Sequence, residues 1–136
     1  LRHVPVSSVS YATLPPEPIY ASDPLSKLVT LHAHHNVPDF PVVDSDGRYM
    51  GMVTGADMRT ALIDREAIPL LLVAELMRND LPVIKPDEHL DTVIEKFSRD
   101  DVSSLVLVDG FEGTKPLALV TRAKVMSRYN AVLDEA

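Results

Sequence analysis

The segment Gly51–Asp57, "GMVTGAD", joins an apolar strand pattern to the start of a helix, and it decides the fold. A similar segment, "ALVTRAK", occurs at Ala118–Lys124. When the chain is shifted by 67 positions, the Val-Thr pair at 53–54 coincides with the Val-Thr pair at 120–121. The same strand-to-helix junction is therefore written twice, which indicates an internal duplication. Only the first copy begins with glycine and ends with aspartate.

The duplication extends well upstream of these junctions. At a shift of 65 positions, "LSKLVTLHAHHNVPDFPVVD" at 25–44 lies over "LDTVIEKFSRDDVSSLVLVD" at 90–109. Apolar residues coincide throughout, with Leu25 over Leu90 and Val43 over Val108. Two extra residues in the second turn change the shift from 65 to 67. The chain is therefore predicted to consist of two similar halves.

Each half is predicted to have the element order β-α-β-β-α, so the fold class is α/β (α+β). Apolar residues at i, i+3 and i+4 indicate the amphipathic helices, and short β-rich runs indicate the strands. Asp23 and Asp87 precede the first helix of each half, where a carboxylate can cap free N–H groups. The predicted segments are extended runs at 18–21 and 82–85, strands "FPVVD", "SLVLVD", "YMGMV" and "LALV", and final helices from Ala56 to about Asp64 and from Ala123 to about Val132.

We expect the repeats to span residues 4–64 and 71–132, with residues 65–70 as the linker. Neither half is long enough to bury both faces of its sheet, so the halves are expected to pack together as a pseudo-twofold pair. The 136-residue chain is 46% hydrophobic, which suffices for a buried core.

Composition excludes several classes of function. The net charge of −7 disfavours non-specific nucleic-acid binding, which needs clustered basic residues. The absence of cysteine excludes disulfides, thiolate metal sites and a cysteine nucleophile. The longest apolar run, at 67–74, is far shorter than the roughly 20 residues of a membrane-spanning helix. The N-terminus has no signal-peptide pattern, and the absence of an initial methionine suggests a fragment of a longer protein.

Two β-α-β-β-α halves of this length resemble a CBS-domain pair, also called a Bateman module. "PVVD", a turn and "GMVTGAD" match the family pattern of Gly, an aliphatic residue, Ser or Thr, two residues and Asp. "VAELM" at 73–77 resembles the family's short lead-in helix. The resemblance covers roughly residues 4–132. It implies two clefts between the halves that bind adenosine-containing ligands.

The resemblance assigns the ribose hydroxyls of a ligand to Thr54 and Asp57. Physically, Asp57 lies in the first turn of a helix, where the helix dipole favours a charged carboxylate. An ionised carboxylate can accept two hydrogen bonds from a ribose diol. The opposing half would complete this cleft with Leu81, Pro82, Val83, Ser103 and Ser104. The alternative is that Asp57 only caps its own helix.

The second cleft is expected to lack ribose recognition. Lys124 replaces the aspartate there, and a lysine ammonium accepts no hydrogen bond. This cleft would combine Thr121 and Lys124 with Ile19, Tyr20, Val37, Pro38 and Phe40. Lys124 could attract a phosphate, or it could be an ordinary solvated lysine.

The cluster "HAHH" at 32–35 suggests a metal site, but we interpret His32 as a packing residue. His32 aligns with Phe97 of the apolar stripe, and His34 points away from the His32 face of the helix. Arg59 and Arg122 follow the two threonines closely; each could reach a ligand phosphate or lie on the surface.

No arrangement typical of catalysis stands out, so the chain is not expected to be an enzyme. It is expected to need no cofactor and to bind AMP, ADP or ATP, in a homodimer, without nucleic acid. "IPLLLVAELMR" and "SRYNAVLDE" resemble cytoplasmic tails of CLC-type chloride channels and transporters, which implies a cytoplasmic module attached to a membrane transporter in the same chain. The alternatives are a stand-alone nucleotide sensor, a tail of another transporter or enzyme, and a dimerisation module without ligand.

Overall fold

The computed structural model describes residues 3–135 and divides the chain into two compact units. The central unit is Leu14–Leu81, and the split unit combines Leu1–Thr13 with Pro82–Ala136. The central unit contains α1 (Leu25–His34), β1 (Asp39–Val43), β2 (Tyr49–Thr54), α2 (Gly55–Ala61) and α3 (Val73–Leu76). The split unit contains α4 (Leu90–Arg99), β3 (Ser104–Val108), β4 (Pro116–Thr121) and α5 (Arg122–Glu135).

Each unit contains a two-stranded antiparallel hairpin, as the α+β prediction requires. In the central unit β1 pairs with β2, with Asp39 opposite Thr54 and Phe40 opposite Val53. All five residues of β1 are buried: residues 40–43 as their apolar pattern predicts, and Asp39 with its carboxylate accepting a hydrogen bond from Gly55 N. The β1–β2 turn is closed by Asp44 and by Gly47, whose φ of 81° favours glycine.

The predicted extended run at the start of each half forms a single bridge instead of a longer strand. Tyr20 pairs in parallel with Val43 in the central unit, and Ile84 pairs in parallel with Leu107 in the split unit. The prolines at 18, 82 and 86 flank these bridges and lack the N–H that a longer ladder would need.

The helices bury the residues that the sequence periodicity selects. In α1 the buried side chains are Leu25, Leu28 and Leu31, and in α4 they are Leu90, Val93 and Phe97. The predicted capping by Asp23 and Asp87 is wrong. The N-cap residues are Pro24 and His89, and neither makes a side-chain capping bond. The Asp23 carboxylate instead accepts hydrogen bonds from Tyr20 N and Lys27 Nζ, both at 2.8 Å.

The short helical segment at the start of each repeat joins the compact unit that contains most of the other repeat. Helix α3 lies in the central unit, where the N–H groups of Val73 and Ala74 donate to the carbonyls of Asp23 and Ala21. The 3₁₀ turn Val6–Ser8 lies in the split unit, where Val6 N donates to Glu88 O. The predicted boundaries of the two repeats, 4–64 and 71–132, rest on sequence similarity, and they remain a prediction.

Each unit has its own apolar interior. The core of the central unit is Ile19, Leu25, Leu28, Leu31, Val37, Phe40, Val42, Val53, Met58 and Val73. Buried residues of the split unit include Val6, Ile84, Leu90, Val93, Leu105, Leu119 and Val125. Among residues 3–135, every helix is too short or too polar to cross a lipid bilayer.

Gly51 of β2 permits a close approach between two backbone segments. Met52 and Arg78 exchange backbone hydrogen bonds of 2.8 and 2.9 Å. A Cβ atom at position 51 would lie 2.5 Å from Arg78 O and 2.7 Å from Met77 Cγ. The contact with a carbonyl oxygen cannot be relieved by a side-chain rotation, so only glycine fits here.

We expect Gly51→Ala to lower the free energy of unfolding by about 1–3 kcal/mol, since the added methyl group must displace backbone. Urea denaturation measures the change. The matched control is Gly110→Ala, where the nearest atom to a new Cβ lies 3.7 Å away, and where we expect a change within about 0.5 kcal/mol. Equal stability of both variants would contradict the close approach.

Candidate functional site

The junction between β2 and α2 is organised by the side chain of Thr54. Thr54 is the N-cap of α2, and its Oγ1 accepts a hydrogen bond of 3.0 Å from Asp57 N. The cap of this helix is therefore Thr54, and the Asp57 carboxylate is directed to another partner. The alternative hypothesis that Asp57 only caps its helix does not describe this geometry.

The neighbouring residue Gly55 locks the junction against the start of β1. Gly55 N donates a 2.8 Å hydrogen bond to Oδ1 of the buried Asp39. A Cβ atom at position 55 would lie 2.3 Å from Pro38 O. Gly51 and Gly55, which lie on either side of Thr54, are thus each required by a different close contact with a backbone carbonyl oxygen.

The Asp57 carboxylate forms a two-pronged ion pair with Arg78 of the same unit. Arg78 Nε donates to Oδ2 at 2.8 Å, and Arg78 Nη2 donates to Oδ1 at 3.0 Å. The guanidinium of Arg78, opposed only in part by burial, lowers the pKa of Asp57 below its ordinary value. Asp57 is consequently ionised at neutral pH. Both side chains remain about one-third exposed to solvent.

Arg78 follows α3, and its position is set by backbone contacts. The pair of hydrogen bonds with Met52 attaches residue 78 to the edge of β2, two residues before the end of that strand. Sequence reasoning missed Arg78, because it lies 21 positions from Asp57. The one signal available was an arginine directly after the lead-in helix pattern "VAELM".

The corresponding junction in the split unit lacks both members of this pair. Thr121 Oγ1 accepts a hydrogen bond of 3.3 Å from Lys124 N, so the cap is retained. Leu119 exchanges backbone hydrogen bonds of 2.8 and 2.9 Å with Ala12. Ala12 therefore takes the place of Arg78, and Lys124 takes the place of Asp57.

Arg122 stabilises the end of α4. Its guanidinium donates to the carbonyls of Val102, Phe97 and Asp100, at distances between 2.6 and 2.9 Å. The same group lies 5.1 Å from the centre of the Phe97 ring. These contacts satisfy carbonyls at a helix end. Arg122 is half-buried, and its guanidinium is engaged with these carbonyls.

The structure places the seven predicted site residues in two different units. Thr54, Asp57 and Leu81 belong to the central unit, where the Thr54 hydroxyl accepts a hydrogen bond from Asp57 N. Leu81 is buried. The remaining four belong to the split unit: Pro82 and Val83 are half-buried, Ser103 is exposed and Ser104 is buried. Their role in ligand binding stays a prediction.

Residues proposed for the second cleft have diverse surroundings. The side chains of Ile19, Val37 and Phe40 lie in the core of the central unit. Tyr20 is 38% exposed and lines a shallow cavity of about 400 Å³. Another cavity of the central unit, about 290 Å³, is lined by His32, Arg65 and apolar residues.

His32 packs as the repeat alignment predicts. Its ring meets Phe40 edge-on, with ring centres 6.3 Å apart. Over the part of the chain that the structure describes, no three His, Cys, Asp or Glu side chains are grouped to hold a metal ion.

We expect Asp57→Asn to lower the free energy of unfolding at pH 7 by about 0.5–1 kcal/mol, because the ion pair is partly exposed. A carboxylate with a lowered pKa contributes stability above its unfolded-state pKa and loses it as the pH falls through its folded-state pKa. The difference between wild type and D57N should therefore persist at neutral pH and shrink below the ordinary Asp pKa of 3.8. Denaturation curves at several pH values measure it.

Asp64→Asn, which removes an exposed carboxylate of the same unit, is the control. A difference between wild type and D57N that grows as the pH falls would contradict the ion pair.

The family model described as "CBS domain" matches residues 6–64 and 73–131. The matched segments begin and end close to the two repeats found by the self-comparison. They cover well over half of the chain, which establishes that the chain is a member of this family.

Solved structures of CBS-domain proteins have the same fold. A CBS domain-containing protein of unknown function from Bacillus anthracis has a TM-score of 0.76 and 16% identity, over 96% of this chain and 95% of that chain. The CBS domain pair of protein MJ0100, in complex with 5′-methylthioadenosine and S-adenosyl-L-methionine, has a TM-score of 0.72 and 22% identity, over 93% and 99%. CBSX2 from Arabidopsis thaliana has a TM-score of 0.74 and 18% identity, over 98% and 99%; its structure is also known in complex with AMP.

Two curated relatives are enzymes of methanogens. The chain is 21% identical over 91 residues to a homoserine O-acetyltransferase from Methanococcus vannielii, and 25% identical over 97 residues to an L-aspartate semialdehyde sulfurtransferase from Methanocaldococcus jannaschii. Each match spans 18% of the relative's length, so the chain resembles a small part of each enzyme. Repeats, junction geometry, family match and fold agree: the chain belongs to the CBS-domain family and contains two CBS domains.

Proposed function

We propose that this chain is a regulatory module that binds an adenosine-containing ligand, with Thr54 and Asp57 at the ribose. The observation that carries the proposal is the ionised, partly exposed Asp57 carboxylate, held at the start of α2 beside the Thr54 cap. Related CBS pairs in complex with AMP, or with 5′-methylthioadenosine and S-adenosyl-L-methionine, support this ligand class.

The chemistry of Asp57 suits a vicinal diol. A carboxylate offers about four acceptor positions, of which the guanidinium of Arg78 uses two. The ribose hydroxyls can donate to the remaining positions, and charge-assisted hydrogen bonds of this kind are stronger than neutral ones. Lys124 at the corresponding position of the split unit has only donors. We therefore propose one adenosine site per chain.

Of the hosts considered, we favour a nucleotide-sensing CBS pair outside the chloride channels. The relatives reported above are CBS-domain proteins and two methanogen enzymes, which supports the alternative hypothesis more than the CLC-type tail. Catalysis is not proposed, because Asp57, Thr54 and Arg78 form a binding constellation without a nucleophile–base pair.

Regulation requires that the ligand bind one arrangement of the protein better than another. We propose a second copy of the chain as the partner through which this difference is transmitted. Met126 and Leu133, seven positions apart on α5, are exposed apolar residues on one helix face and support an interface there.

Isothermal titration calorimetry with AMP, ADP, ATP and S-adenosyl-L-methionine tests the proposal. We expect binding of one ligand per chain, and a loss of affinity of at least about tenfold in Asp57→Ala, because the ribose acceptor is removed. Asp64→Ala is the control, since it removes an exposed carboxylate with the same change in net charge.

Two results would contradict the proposal. Binding of two ligands per chain would show that the lysine-containing junction is also competent. Unchanged affinity in D57A would show that Asp57 does not hold the ribose. If none of the four compounds binds, the hypothesis of a dimerisation module without ligand takes its place.

A further inference from the structure

The ribose acceptor of the proposed site is electrically neutralised by its own unit. Asp57 contributes one negative charge and Arg78 one positive charge, joined by hydrogen bonds of 2.8 and 3.0 Å. Both side chains are about one-third exposed, so a ligand that approaches Asp57 meets the sum of the two charges. A ligand therefore meets an acceptor with almost no net charge.

Arg78 is part of the fold and not a mobile surface residue that happens to lie near Asp57. Its N–H and C=O both pair with Met52, and the missing side chain of Gly51 makes room for this contact. The backbone of Arg78 is therefore fixed at the strand edge, and the two hydrogen bonds to Asp57 hold its guanidinium at the carboxylate. Such preorganisation means that little side-chain entropy is lost when a ligand binds.

The corresponding junction of the split unit lacks both the carboxylate and the guanidinium of this ion pair. At the junction in the split unit, Lys124 stands in place of Asp57, and Ala12 stands in place of Arg78. Where the carboxylate is absent, the arginine is absent too. This pattern connects Arg78 with the function of the Asp57 carboxylate.

We propose that Arg78 is a specificity-determining residue that makes the Asp57 site select phosphorylated, anionic adenosine ligands over cationic ones. The proposal rests on the proposed function. A bare carboxylate at the ribose would repel a nearby phosphate and attract the sulfonium of S-adenosyl-L-methionine. The guanidinium cancels that field and so removes both the repulsion and the attraction, because interactions between charges a few ångströms apart remain strong near a protein surface.

Calorimetry with AMP, adenosine and S-adenosyl-L-methionine tests this selectivity, and adenosine is the uncharged reference. Wild type, whose ion pair is close to neutral, should bind AMP at least as tightly as adenosine and should bind S-adenosyl-L-methionine no more tightly than adenosine. In Arg78→Gln, we expect the AMP-to-adenosine affinity ratio to fall on the order of tenfold. The S-adenosyl-L-methionine-to-adenosine ratio should rise in the same variant.

Two further variants separate charge from geometry and from general electrostatics. Arg78→Lys keeps the positive charge without the two-pronged contact, so it should retain most of the preference for AMP. Arg48→Gln removes an exposed arginine of the same unit and should leave all three affinities unchanged. Thermal unfolding of each variant confirms that it is folded.

The outcomes distinguish this inference from the proposed function. If wild type binds these ligands in an Asp57-dependent way but R78Q leaves the AMP-to-adenosine ratio unchanged, only the role of Arg78 is overturned. An equal gain in affinity for all three ligands in R78Q would also overturn it, since Arg78 would then act as a plug. Tighter binding of S-adenosyl-L-methionine than of AMP to wild type overturns it without any variant. If wild type binds none of the three, this inference fails, and the proposed function fails with it only if ADP and ATP do not bind either.

Discussion

The contact between the edge of β2 and the segment after α3 is the constraint on which the site depends. Gly51 has no side chain, so the segment Met77–Arg78 can lie against the strand. Arg78 then exchanges two backbone hydrogen bonds with Met52. That contact brings the arginine side chain to Asp57, at the other end of the same short motif. The fold and the candidate site therefore depend on the same contact. Backbone pairing places Arg78 at the strand edge, and Arg78 also supplies the positive charge beside the Asp57 carboxylate.

The two junctions show how a duplicated motif can keep its structure while its chemistry diverges. Both threonines cap their helices, and both edge strands receive a partner segment, because these contacts use backbone groups and a hydroxyl. The charged side chains are free of that constraint, so Asp57 and Arg78 correspond to Lys124 and Ala12. Arg122 is a further example of this divergence. It occupies the position that Gly55 has in the first junction, and it stabilises the end of α4 through three carbonyls.

The carboxylate that we propose as the ribose acceptor is half of an ion pair, and this affects how such a module could report on its ligand. Binding at an ion pair changes the surroundings of both partners, and Arg78 is attached to the segment that follows α3. A ligand that shifts the guanidinium would act directly on that segment, which belongs by sequence to the start of the second repeat but by packing to the central unit. Coupling of this kind needs two arrangements with different affinities for the ligand.

The amino-acid sequence by itself determined the duplication, the α+β class, the apolar faces of α1 and α4 and the Thr54–Asp57 junction. Those features follow from periodicity and spacing over a few residues, where local physical chemistry dominates. The assignment of Asp23 and Asp87 as caps was wrong, because Pro24 and His89 take the N-cap positions and Asp23 bonds to Tyr20 and Lys27 instead. Only the tertiary structure decided that α3 and Val6–Ser8 join the opposite units and that Arg78 pairs with Asp57. These outcomes depend on contacts between residues far apart in the chain, which no local pattern encodes.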